Sequence, residues 1–184
     1  MKVLGISGSL RQGSYNTELL RAAAKLLPPG AHLDVYEGLG DIPPYSEDAE
    51  HQTPPAVAAL KLAIADADAV LFSTPEYNHS LPGQLKNALD WVSRPYTQNP
   101  LRDKPVAVLG ASAGMFGAVW AQAELRKVAA ALGARVLDRE LPVPQAGGAF
   151  TAVGELADPG LRQELADICA QLVHEATGSA LVAA

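Results

Sequence analysis

The stretch PEYNHSLPGQLKNALDWV, residues 75–92, follows directly on a wholly apolar run, AVLFST at 69–74, and ends where Leu85, Leu89 and Val92 fall at helical spacing. The pattern is strand, loop, helix. An unbroken apolar strand is one covered on both faces, as at the centre of a parallel sheet. Loops that leave the carboxyl ends of such strands are where open α/β folds bind ligands. The contents of this loop suit that place: Pro75 and Pro82 stiffen it, Gly83 permits a tight approach, and Glu76, Tyr77 and Asn78 set donors, acceptors and an aromatic ring side by side.

The same unit recurs upstream. Residues 2–7, KVLGIS, read as a short apolar strand entering GSLRQGSYN at 8–16, a loop of small and hydroxylated residues. TELLRAAAKLL then places Leu20, Ala24 and Leu27 on one helical face, and Pro28, Pro29 and Gly30 stop it. A helix opening from such a loop offers unbonded backbone N–H groups and the positive end of its dipole, so phosphate is the natural ligand. Ser9, Ser14, Asn16 and Thr17 add donors, and Arg11 adds a planar charged fork. The plainer alternative is that Ser14 or Asn16 caps the helix and Arg11 is a solvated charge. Gly8 and Gly13 have the spacing of a P-loop, but Ser14 stands where its lysine is required, and no G-x-G-x-x-G is present.

HLDVYE at 32–37 reads as a second strand, followed by a Pro- and acid-rich loop and a helix with Val57, Leu60, Leu62 and Ile64 as its apolar positions. Asp41, Glu47, Asp48 and Glu50 repeat no calcium-loop spacing and read as solvated acids. PVAVLG at 105–110 is a fourth strand; its loop, ASAGMFG, leads into a helix whose face is Val119, Leu125, Val128 and Leu132, stopped by Gly133. ARVLD at 134–138 is the fifth strand, and the Pro- and Gly-containing segment 141–156 reads as a long loop over the site or at a subunit contact. A last helix opens with Asp158 as cap and Pro159 in its first position, runs through Leu161, Leu165, Ile168 and Leu172, and gives way to a frayed end at 176–184.

Five strands alternating with helices in 184 residues make one doubly wound α/β domain spanning 1–184, with helices on both faces of a parallel sheet. Right-handed crossovers favour the flavodoxin-like order 2-1-3-4-5; periodicity alone also admits a truncated Rossmann arrangement. Either way, three small-residue loops emerge at one sheet edge around one ligand. The net charge of −6 and the scattered Lys and Arg argue against a nucleic-acid partner. No stretch approaches the ~20 apolar residues of a membrane span. The single cysteine, Cys169, lies among Leu165, Ile168 and Leu172, which places it in the core and suits a reducing, cytoplasmic setting.

GSLRQGSYN at 8–16 and PEYNHSLPGQLKNALDW at 75–91 resemble the two signatures of the NAD(P)H-dependent FMN reductase family, in particular its chromate and quinone reductase branch. The resemblance implies a flavodoxin-like fold that binds FMN without a covalent link. It assigns the phosphate to Ser9, Arg11, Ser14 and Asn16, the isoalloxazine to Pro75, Glu76, Tyr77 and Asn78, and further flavin contacts to Ser112, Gly114 and Gly117. Met115 and Phe116 depart from the glycine-rich form usual in that third loop. The implied activity is hydride transfer from NAD(P)H to FMN and on to soluble acceptors: quinones, azo or nitro compounds, or metal oxyanions such as chromate. The flavin carries that chemistry, so no catalytic side chain or metal ion is expected, and His79 is expected to be merely solvent-exposed. A flavodoxin-type electron carrier, or a reductase supplying free reduced FMN to a monooxygenase, is the alternative. The resemblance also implies a homodimer or a dimer of dimers with the site near the interface. The run 87–96, with Trp91, Val92 and Pro95, is expected to supply the exposed apolar contact.

Overall fold

The computed structural model describes residues 1–182. Its strands β1 (Lys2–Ser7), β2 (His32–Tyr36), β3 (Ala69–Thr74), β4 (Pro105–Ala111) and β5 (Arg135–Val143) form one parallel sheet in the order β2-β1-β3-β4-β5, the expected flavodoxin-like arrangement. Every residue of β3 and β4 is buried, as their unbroken apolar runs require. Helices α1 (Tyr15–Ala24) and α5 (Pro159–Val182) build the core on one face of the sheet. Helices α2 (Pro55–Asp66), α3 (Gly83–Val92) and α4 (Val119–Ala131) build it on the other.

Several helical faces differ from the periodic reading. In α1 the buried apolar positions are Leu19, Leu20, Ala22 and Ala23, while Ala24 is exposed and Leu27 lies beyond the helix. Leu62 points outward from α2 and is 63% exposed. In α4 the buried face is Ala121, Gln122, Leu125 and Ala129, with Val119, Val128 and Leu132 only partly covered. Gln122 explains that rotation, because its amide is fully used inside the protein: Nε2 donates to Gly117 O at 3.0 Å and Oε1 accepts from Leu141 N–H at 3.0 Å. A polar residue satisfied in this way is invisible to an apolar period.

Strand β5 runs on to Val143, past the 134–138 expected, after a register shift between Val106 and Val108 of β4. It is an edge strand hydrogen-bonded on one side only, so the missing N–H of Pro142 leaves the ladder intact. Helix α5 likewise continues to Val182 where a frayed end was expected from 176, and the last two residues lie outside the described part of the chain. The Asp158 cap is present, its carboxylate accepting from Leu161 N–H at 2.8 Å.

The run 87–96 is the clearest departure. Trp91 and Val92 are buried, at 1% and 0% exposure, and α3 turns its polar stripe onto the loop after β2. Gln84 donates to Leu39 O and Ile42 O, Asn87 and Trp91 Nε1 both donate to Pro43 O at 2.9 Å, and the Tyr45 ring meets Trp91 edge-on at 5.1 Å. Trp91 and Val92 are therefore core residues, while Pro95 and Tyr96 of the same run are exposed as expected.

Cys169 is buried between α5 and α1, its Sγ 3.8 Å from Ala23 O, and burial pushes its thiol from the usual 9.0 up to about 12. A thiol whose folded-state pKa is raised adds stability that is complete below pH 9.0 and is lost as pH rises toward about 12. Native protein should therefore leave Cys169 unlabelled by a thiol reagent at pH 8, label it fully in denaturant, and lose stability progressively above pH 9. Fast labelling of folded protein would contradict this placement.

Candidate functional site

At the carboxyl edge of the sheet the loops after β1, β3 and β4 meet, and polar side chains lace them together. Asn16, in the first turn of α1 and 2% exposed, is the centre of the lacing. Its Nδ2 donates to Ala111 O at 2.9 Å, and its Oδ1 accepts from Ala111 N–H and from Ser73 Oγ, both at 2.9 Å. One amide thus joins α1 to the ends of β3 and β4. Gly8 N–H donates to Ser73 O at 2.8 Å, and Ser7 Oγ accepts from Thr17 Oγ1 and from Ser9 N–H. Ser14 caps α1, its Oγ accepting from Asn16 N–H at 3.2 Å.

The second loop folds on itself. Tyr77 and Ser80 exchange backbone hydrogen bonds at 3.0 and 3.1 Å around Asn78 and His79, whose φ angles of 54° and 60° lie in the left-handed region. Neither is glycine, so the turn carries local strain of about 1–3 kcal/mol per residue that the surrounding contacts must hold. Glu76 supplies the main tie: its Oε2 accepts from the N–H groups of Trp120 and Ala121 at 3.0 and 3.1 Å, capping α4 from another loop and placing a carboxylate on the positive end of its dipole. In the third loop, Gly117 has φ 58°, and a Cβ there would sit 2.6 Å from the Pro142 carbonyl carbon, so only glycine lets the loop close against β5.

The lacing encloses a cavity of about 330 Å³ whose wall includes Ser9, Arg11, Ser14, Asn16, Pro75, Glu76, Tyr77, Ser112 and Gly114. The two other residues singled out in the sequence stand apart: Asn78 is at the exposed tip of the second turn, and Gly117 is buried behind the third loop. Asn16 and Glu76 line the wall, but the Asn16 amide is bonded to the protein itself and Glu76 gives Oε2 to α4, with Oε1 3.7 Å from His79 Nδ1, so both position backbone. A larger cavity of about 460 Å³ shares Ser9 and Arg11 but lies toward β2, beside Arg21, Tyr36 and Gly40. It touches only the first loop and is not where the three converge.

The exposed Arg11 lies 5.0 Å over the Tyr15 ring and donates to Gln12 O at 3.1 Å, with no carboxylate partner among the described residues. Tyr15 was not singled out by the sequence reading, though an aromatic residue opening the first helical turn of a small-residue loop was a usable signal; it lines the cavity with Ala111 and Ala113. Trp120 was also missed. His79 is solvent-exposed as expected, yet it packs against Trp120. Among the described residues no group of His, Cys, Asp and Glu is arranged to hold a metal ion, and no helix is long and apolar enough to cross a membrane.

A family model described as NADPH-dependent FMN reductase matches residues 1–148. An NAD(P)H-dependent FMN reductase of Pseudomonas aeruginosa is 48% identical over 165 residues, covering 89% of this chain and 88% of its own. A 2-hydroxy-1,4-benzoquinone reductase of a Burkholderia species is 46% identical over 132 residues, 72% of each chain. Among solved structures, the flavoenzyme NAD(P)H:(acceptor) oxidoreductase FerB of Paracoccus denitrificans superposes with a TM-score of 0.85 at 36% identity, covering 96% of this chain and 97% of that one.

Replacing Asn16 by alanine removes the partner of a buried hydroxyl donor on Ser73 and of the backbone N–H and C=O of Ala111. We expect Asn16→Ala to lower unfolding free energy by about 3 kcal/mol in urea titrations, against a change within about 0.5 kcal/mol for the exposed Arg11→Ala. Equal stabilities would show that the lacing is not what holds the loops.

Proposed function

The chain belongs to the NADPH-dependent FMN reductase family, and on that premise we propose that it binds FMN non-covalently in the three-loop cavity and uses NAD(P)H to reduce soluble acceptors, quinones foremost. The observation that carries the reading is the meeting, in one cavity, of a helix amino terminus with a carboxylate-free arginine and of the turn formed by Pro75, Glu76 and Tyr77.

The residues present fit such a cofactor. Among the described residues no protein acceptor takes the N–H groups of Gly13, Ser14 or Tyr15, so the start of α1 has donors to give a phosphate. Arg11, Ser9 and Ser14 would add a charged fork and two hydroxyls. Pro75, Glu76 and Tyr77 on one loop and Ser112 and Gly114 on another would hold the ring system. Asn16 acts at one remove, fixing the Ala111 and Ser73 backbone on which both loops rest. Bound FMN supplies the hydride-accepting and electron-donating chemistry, while the chain supplies binding and orientation.

A relative whose name specifies 2-hydroxy-1,4-benzoquinone supports the choice of quinones. Azo and nitro compounds and chromate are further acceptors within this reading. A homodimer or dimer of dimers rests on the resemblance alone, and its contact would have to lie outside the buried Trp91 and Val92. A cytoplasmic location agrees with the single buried, unpaired cysteine.

The protein should purify yellow or take up FMN, release it intact on denaturation, and oxidise NAD(P)H much faster once a quinone is added. A charge-assisted hydrogen bond contributes about 1.5–3 kcal/mol, so Arg11→Ala should weaken FMN binding by about ten- to a hundredfold and leave riboflavin binding nearly unchanged. Equal losses for both flavins would remove Arg11 from the phosphate, and a protein with no measurable FMN affinity would end the reading.

A further inference from the structure

Beside the three-loop cavity stands a group of aromatic rings that the fold does not use. The chain has two tryptophans and three phenylalanines. One tryptophan, Trp91, is sealed in the core, whereas Trp120 at the start of α4 is 40% exposed and Phe116 is 58% exposed. The Trp120 ring meets His79 at 4.7 Å and 88°, and Phe116 at 5.0 Å and 64°. Three exposed rings, two of them set steeply against Trp120, form an open corner, in which a flat molecule finds one ring to lie on and the edge of another to abut.

The corner is rigidly placed relative to the cavity. Glu76 lines the cavity wall and accepts from Trp120 N–H, so one residue joins the two. Ser80 Oγ bonds Glu124, tying the second turn to the outer side of α4. His79 reaches Trp120 from a left-handed backbone, φ 60°, and Ala118, two residues before Trp120, is at φ 63°. Strained backbone on both sides of the contact is held by the bonds around it.

We infer that the Trp120 corner, with His79 and Phe116, is an acceptor subsite that selects flat, electron-poor carbon acceptors such as quinones over compact hydrated anions. This rests on the flavin reading above and names the substrate class for that site. Indole is the most electron-rich of the side-chain rings and stacks favourably on an electron-poor one. A hydrated oxyanion gains nothing from ring faces and meets the exposed carboxylate of Glu124, which Ser80 Oγ holds beside the second turn.

The test compares FMN-loaded wild type, Trp120→Ala and Trp120→Phe. Both substitutions keep the backbone N–H that Glu76 accepts, and thermal melting with flavin titration shows whether fold and FMN affinity survive. The ratio of kcat/KM for a benzoquinone to that for ferricyanide should fall about three- to tenfold in Trp120→Ala, mainly through the quinone KM, with partial recovery in Trp120→Phe. Titrating oxidised holoenzyme with the quinone, without NAD(P)H, should quench tryptophan emission in wild type and far less in Trp120→Ala. With FMN affinity intact, an unchanged ratio overturns the subsite alone. A shift of Trp120→Ala to a smaller species in sedimentation assigns the corner to contact between copies and overturns it too. Failure of the wild type to bind FMN overturns the flavin reading, and the subsite with it.

Discussion

The Asn16 side chain is the interaction on which the site depends. The first loop must open at the edge of β1, while the two loops it faces leave β3 and β4, and nothing in sheet hydrogen bonding alone fixes their heights. A single buried amide with two acceptor contacts and one donor contact sets all three to within hydrogen-bond tolerance. In a low-dielectric setting such a network is strong when complete and costly when broken, so it specifies one arrangement rather than merely favouring it. Glu76 does the same between the second loop and α4. The cavity is thus braced by the protein's own groups at points where a ligand would otherwise have to do the bracing.

Much of this could be read from residue order. The unbroken runs at 69–74 and 105–110 are what doubly covered strands need, and the small-residue loops after them mark the edge where they end. Crossover handedness favoured the sheet order, and the two loop signatures contain Ser9, Arg11, Ser14, Pro75, Glu76 and Tyr77 of the cavity wall, while Tyr15, inside the first of them, was not singled out and Ala111 and Ala113 had no such signal. The roles of individual residues were less legible. Asn16 and Glu76 sit in loops rich in donors and acceptors, and their partners, Ala111 and Trp120, are far along the chain; which polar group bonds protein and which stays open is decided only by three-dimensional neighbours. Trp91 failed in the opposite way. A tryptophan near a helix end reads as surplus apolar surface unless the loop 38–45 is known to fold over it, and that loop carries no period to announce itself.

The third loop shows how far local strain is tolerated here. Gly117 and Ala118 turn through the left-handed region so that Gln122 reaches both Gly117 and β5, and the same turn throws Phe116 and Trp120 outward. A glycine-rich loop would make that turn without presenting any side chain. This one makes it while exposing bulky ones, so the departure at Met115 and Phe116 changes the surface beside the cavity and leaves the scaffold beneath it as expected.

The two margins of the sheet carry a consequence for how copies of this chain can meet. β2 offers His32 and Asp34, the latter 4.0 Å from Lys2, and β5 offers Asp138, Arg139, Glu140 and the ring of Pro142 along its open side. Asp34 on β2, and charges of both signs with a residue lacking an N–H on β5, make the margins poor templates for an incoming strand. Sheet growth from molecule to molecule, the common route from a crowded solution to fibrous aggregate, is therefore blocked at both ends, and association is left to helices and loops, where a strand register plays no part.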